Sequence, residues 1–287
     1  MIEVLLFLVA LFVLIVGAYT DIRTREVPDW VNFGGIVAGL GIRAAWGFAG
    51  NGWAALGFGL FGFVVFFALS IIMYYSRQWG GGDSKLLMAM GALLGLWFSK
   101  DNAGVGFLLW VLLAGAGYGI VSNIVLAVMN WKLFLKRYAE LFNKVRWANF
   151  PVLFVFLLGF AFAVATDDLF FRMLVLFVAL IVPVLFYLAI GVKAVENCCM
   201  YRKIHPCLLT EGDWIAKPVF YKRRYLCGPK DLGVTKKKIR ELRRLGIKQV
   251  IVKDGIPFVP SFLMAFLFYL WLGSPLEWFF KVLSQTP

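Results

Sequence analysis

Asp21 closes an apolar run from Ile2 to Thr20, and Asp83 opens another directly after the triplet Gly80-Gly81-Gly82. Acidic groups beside lipid-length apolar segments are costly enough to mark function by default. Two carboxylates brought together can hydrolyse a peptide bond: the ionised one takes a proton from water, and the protonated one polarises the carbonyl. The two then titrate as a unit. Helix ends assign the roles, with Asp83 at an N-terminus as the ionised member and Asp21 at a C-terminus as the proton carrier. Gly80, Gly81 and Gly82 lack side chains, so a substrate backbone can come close to the Asp83 carboxylate. A plainer reading stands beside this one. Asp83 is also an ordinary helix N-cap, and Asp21 a juxtamembrane acid that Arg23 or Arg25 can pair.

The elements that position these acids follow from composition. The 287 residues are 62% apolar and 16% charged, where soluble chains average roughly half and a quarter. Trp53 to Ser76 and Ala103 to Trp131 carry no charge, and each exceeds the roughly 20 helical residues that span a hydrocarbon core. Runs of that length exclude a β-barrel, whose strands alternate. The predicted fold is an all-α polytopic membrane bundle with about eight spans: 2–20, 30–50, 53–75, 83–98, 103–130, 149–166, 169–192 and 258–273. The stretch 2–20 has no basic residue before it and is read as a retained span. The fourth span is short, with fourteen residues between Lys85 and Lys100, about 21 Å of helix. That mismatch draws Asp83 toward the headgroups.

Alternate connections lie on one side of a bilayer. The connections 20–29, 76–85, 131–148 and 193–257 hold 25 Lys and Arg, against only Lys100 and Lys281 in the others and the termini. Basic residues stay in the cytosol, which puts Asp21 and Asp83 at the same cytosolic face and both termini outside. Residues 193–257 carry 16 basic and 6 acidic residues. Anionic lipid headgroups account for that excess, and no nucleic-acid partner is needed. The organisation is therefore a membrane core at 1–130, a basic cytosolic loop at 131–148, two further spans at 149–192, a basic cytosolic α+β insert at 193–257, and a final span with its tail at 258–287. Within the insert, Thr235 caps a helix at 236–245 with Ile239 and Leu242 on one face and Gly246 at its end. Ile247–Lys253 reads as a strand. The insert is small enough to need the bundle for support.

Other residues carry less. Gly35/Gly39, Gly91/Gly95 and Gly115/Gly119 mark close helix packing. Arg43 and Arg172 lie within spans, where snorkelling or an internal ion pair accounts for them. His205, the only histidine, has Cys198, Cys199 and Cys207 near it without a standard zinc spacing. The four cysteines are read as free thiols in a reducing compartment. Asp167 and Asp168 form a solvated turn on the outer face. Trp30, Trp53, Trp97 and Trp131 fall at span ends as an interfacial belt.

The segment from Asp21 to Pro28, and Gly80-Gly81-Gly82-Asp83-Ser84-Lys85-Leu86-Leu87 running to Gly91-Ala92-Leu93-Leu94-Gly95, resemble the two active-site segments of type IV prepilin peptidases, GxGD aspartyl proteases. Leu209-Thr210-Glu211-Gly212-Asp213, Gly233-Val234-Thr235 and Gly255-Ile256-Pro257-Phe258-Val259-Pro260 resemble the tail of the archaeal branch, which includes preflagellin peptidases. The resemblance implies that Asp21 and Asp83 are the catalytic pair and that no metal or organic cofactor takes part. It also implies that pilin-like or flagellin-like precursors are the partners. The zinc-binding insert and N-methylation of many bacterial members are not implied, because no pair of Cys-x-x-Cys motifs occurs. The spans at 149–166 and 169–192 exceed the usual archaeal count. On this reading Glu26 and Asp29 receive a short basic leader, while the like-charged insert faces lipid.

Two other classes compete. A presenilin or signal-peptide-peptidase relative would show a Tyr-Asp step and a Pro-Ala-Leu segment; here Thr20 separates Tyr19 from Asp21, and Pro-Ala-Leu is absent. A transporter would place its acids near the bilayer midplane at broken helices, and a scaffold would leave both Asp replaceable.

Overall fold

The structure, a computed structural model, describes residues 2–97 and 102–277. Phe98, Lys100, Lys281 and the tail beyond 277, all used in the topology argument, lie outside them. Helices form at every expected span: α1 (Ile2–Thr24), α2 (Asp29–Trp46), α3 (Ala54–Tyr75), α4 (Gly81–Leu94), α5 (Ala103–Met129), α7 (Asn149–Ala165), α8 (Leu169–Cys199) and α10 (Val259–Leu272). Among the described residues, six of them are long and apolar enough to cross a membrane, namely α1, α2 with its following turn, α3, α5, α7 with its preceding turn, and α8. The chain is thus a helical membrane protein.

Helical periodicity decides what α1 does with Asp21. Its buried residues, Leu6, Ala10, Val13, Leu14, Gly17, Ala18 and Asp21, recur every three or four positions and share one face. Asp21 therefore points into the bundle from the last turns of α1, and is not part of a loop after the span.

The short α4 is buried almost all round, from Ser84 to Leu94, between α1, α2 and α3. The neighbouring helices surround this short helix and shelter it along most of its length. Their approach depends on missing side chains. A Cβ at Gly62 of α3 would lie 2.4 Å from the Gly91 carbonyl oxygen, and one at Gly39 of α2 would lie 2.9 Å from the Ala92 backbone. Gly115 is likewise occupied, by the Phe258 ring, whereas Gly119 faces open space and contributes no packing contact. The core of this bundle joins Leu14, Phe66, Leu87, Met90, Phe107, Phe262 and Phe266.

Residues 131–148, expected as a loop, are mostly helical. Trp131–Lys144 forms α6, which has no buried residue and packs on α8. Helix α8 itself continues to Cys199, so the insert begins some residues later than 193. The insert is α+β as expected. Antiparallel β1 (Tyr201–Ile204) and β2 (Trp214–Ile215) flank β5 (Val250–Lys253), and β3 (Val219–Tyr221) pairs with β4 (Arg224–Cys227). Helix α9 (Lys236–Arg244) starts at Thr235, whose side chain accepts the Lys238 N–H. Ile239 and Leu242 enter a small core with Ile215, Leu226, Val250 and Val252. His205 uses Nδ1 to accept the Cys207 N–H, and all four cysteines are free thiols.

The two arginines within the apolar helices donate to backbone carbonyls. Arg43 donates to Ala55, Ala92 and Leu93, and Arg172 to Thr166 at the end of α7. Asp168 caps α8 by accepting the Phe171 N–H.

Candidate active site

Asp83 is the third residue of α4, and its carboxylate reaches back to accept the Gly80 N–H at 3.1 Å. The hydroxyl of Ser84 donates to the Gly80 carbonyl, and Ser70 of α3 donates to the Ser84 carbonyl. These bonds fix the first turn of α4 and hence the carboxylate. Asp21 is held from the other side. Only 6% of it is exposed, and its Oδ2 accepts the Val259 N–H at 3.0 Å, at the first turn of α10.

Both carboxylates line a single cavity of about 1060 Å³. The helix-end argument for their roles loses its basis here, because each carboxylate accepts an N–H at the start of a helix. Asp21 stands at the end of α1 but also at the start of α10, which sequence alone did not place beside it.

The other expected contacts divide. Gly80, Gly81 and Gly82 all line the cavity. Gly81 is open to it, but Gly82 is bare for a different reason: a Cβ there would meet Val27 at 3.3–3.5 Å. Glu26 lines the cavity and is exposed. Asp29 also lines it, but its carboxylate is already paired with Lys85 of α4, so it ties α2 to α4.

The insert was expected to face lipid and avoid a basic substrate. It forms a cavity wall instead, through Thr210, Glu211, Asp213, Lys236, Arg240 and Arg243. The reason is a set of backbone ties that net charge does not reveal. Arg77, after α3, donates to the Pro229 and Lys230 carbonyls, and Arg25, after α1, to that of Gly255. Both arginines sit in left-handed backbone conformations, with φ of 59° and 60°, at the chain reversals that end their helices. The wall also brings acids forward. Burial pushes the Asp213 carboxyl above the usual carboxylate range despite two donors from Thr210, and the charges of Glu26 and Asp254 push the same way. The resemblance at Leu209-Thr210-Glu211-Gly212-Asp213 was the available signal for this wall, and that at Gly255-Ile256-Pro257-Phe258-Val259-Pro260 marked the segment of the Val259 amide without showing that it reaches Asp21.

A cavity of this size accepts an extended peptide segment, and two carboxylates in one cavity can activate a water against its carbonyl.

Residues 8–120 match the type IV leader peptidase family. The chain is 31% identical over 88 residues to a preflagellin peptidase of Methanocaldococcus jannaschii, covering 31% of this chain and 37% of that protein. It is 29% identical over 86 residues to one of Methanococcus voltae, covering 30% and 36%. The chain thus spans little more than a third of the length of these curated relatives. No solved structure matches it. The family match includes both Asp21 and Asp83 and ends within α5, before α6, α7, α8 and the insert.

Proposed function

We propose that the chain, whose residues 8–120 match the type IV leader peptidase family, is a membrane aspartyl endopeptidase. It removes short leader peptides from type IV pilin-like or archaeal flagellin-like precursors. The observation that carries this reading is the meeting of Asp21 and Asp83, sixty-two positions apart in sequence, in one cavity. In the reaction one carboxylate takes a proton from a bound water, whose oxygen attacks the scissile carbonyl carbon. The other carboxyl gives its proton to the carbonyl oxygen. Collapse of the tetrahedral intermediate breaks the C–N bond, and the leaving amine takes up a proton from the pair.

The excess of basic residues in alternate connections supports a cytosolic cavity with both termini outside. In this arrangement α4 and α10 complete eight spans inside the bundle, the short α4 being sheltered by its neighbours. The precursor's apolar helix stays in the bilayer, its leader enters the cavity near Glu26, and anionic headgroups attract the basic exterior of the insert.

Purified protein in detergent, incubated with a leader-bearing precursor, tests the proposal. Wild type shortens the precursor by its leader, whereas Asp21→Ala and Asp83→Ala leave it intact. Equal cleavage by all three proteins overturns the assignment.

A further inference from the structure

Helix α4 ends inside the bundle, and its last carbonyls have no intrahelical partner. In an apolar surrounding such groups must be satisfied by protein. Arg43 of α2, only 5% exposed, does this. Its Nε donates to the Ala92 carbonyl at 3.2 Å and its Nη2 to that of Leu93 at 2.8 Å, both in the last turn of α4. Its Nη1 donates to Ala55 in the first turn of α3 at 3.0 Å. A planar guanidinium with donors in a fixed fork can join three carbonyls from two helices; an ammonium is a point donor on a flexible stem.

The surroundings are shaped to this group. A Cβ at Gly59 would lie 2.4 Å from Arg43 Cδ, and one at Gly95 would lie 2.9 Å from Nη2. Two glycines from two elements therefore leave room for one side chain.

On the reading that Asp21 and Asp83 cleave a peptide, we infer that Arg43 is a positioning residue for the reaction, setting the depth and rotation of α4 and thereby the separation of the two carboxylates. Ala92 lies nine residues beyond Asp83, about 14 Å along a stiff helix. A shift at one end is carried to the other. Asp21 is held by other elements, on α1 and by the Val259 amide of α10, so such a shift changes the separation of the pair. Displacing one member of a reacting pair by about 1 Å can cost on the order of 100-fold in rate.

Arg43→Met removes all three donors, Arg43→Lys keeps a charge without the fork, and Gly59→Ala leaves Arg43 in place but obstructs it. Turnover of a leader-bearing precursor is measured for each, with KM and kcat separated. A second arm needs no activity. In a background with the four native cysteines changed to serine, Asp21→Cys and Asp83→Cys are combined, and bridging by a short bis-methanethiosulfonate is scored with and without Arg43→Met. The expected result is a kcat loss of roughly ten- to a hundred-fold in Arg43→Met and Gly59→Ala with KM little changed, an intermediate loss in Arg43→Lys, and a several-fold fall in bridging. If Arg43→Met does not fold, the Lys and Gly59→Ala variants decide the matter in the same way. Wild-type kcat together with unchanged bridging in folded variants overturns the inference. If wild type cleaves no precursor but bridging still falls, the positioning role stands and the peptidase reading fails.

Discussion

Helices α4 and α7 are similar in length, at 14 and 17 residues, and neither contains a charge past its first turns. They are buried very differently. Nearly all of α4 from Ser84 onward is enclosed, while in α7 only Ala163 is buried. The difference lies in side-chain size. Gly91 and the alanines of α4 let neighbouring backbones come close, whereas α7 presents Phe150, Phe154, Phe160 and Phe162 outward. In lipid, apolarity does not drive helices together, so small residues mark protein contact and bulky ones mark lipid contact. The acids at the two helix starts differ in the same way. Asp83 faces the cavity, while Asp168 caps α8, the partner of α7, at an exposed turn.

The largest effect that would break this comparison concerns those two acids. Asp83→Asn removes cleavage altogether, whereas Asp168→Asn leaves cleavage intact and lowers stability by at most about 1 kcal/mol; activity assays and thermal melts in detergent separate the two. Next come the helix contacts. Gly62→Ala drives a Cβ against the Gly91 carbonyl, costs about 1–3 kcal/mol and lowers kcat. Gly159→Ala, which crowds the Ala179 side chain between α7 and α8, costs stability without lowering kcat. A substrate effect is smaller. Glu26→Gln raises KM several-fold for a precursor with a basic leader and leaves kcat near wild type, as a titration of precursor concentration would reveal.

The smallest effect is in the insert. Burial of Asp231 is outweighed by bonds from Lys238, the Gly228 amide and the Tyr225 hydroxyl, so its carboxyl is held below the usual range. A lowered folded value stabilises the insert above the unfolded value of about 4, and this contribution is lost as pH falls through the lower folded value. Asp231→Ala costs about 1 kcal/mol and removes that part of the acid sensitivity, which hydrogen exchange of β3 and β4 would register.

The acid pair was legible because its signals are local. Three glycines before Asp83, apolar runs ending at Asp21, and the basic bias of alternate connections needed no knowledge of distant contacts. The α9 cap at Thr235 and the neighbouring strand were legible for the same reason. What was missed depends on residues far apart in sequence. The Val259 amide reaches Asp21 across 238 positions, and Arg43 reaches α4 across about 50. Net charge misdirected the insert because it says nothing of contacts: Arg77 and Arg25 tie the insert to the bundle, and its cavity face carries Glu211 and Asp213 beside Lys236, Arg240 and Arg243. The loop expected at 131–148 became α6 because Trp131, Phe134, Tyr138 and Phe142 stack along one helical face toward Tyr187 of α8.

The central claim is that Asp21 and Asp83 act as one proton-sharing unit, and the pH dependence of single-turnover cleavage tests it most directly. The account predicts a bell-shaped profile for wild type, because the ionised and protonated members are needed together, and no turnover at any pH for Asp21→Asn or Asp83→Asn. Substantial turnover by either variant, or a wild-type profile with a single limb, would contradict it.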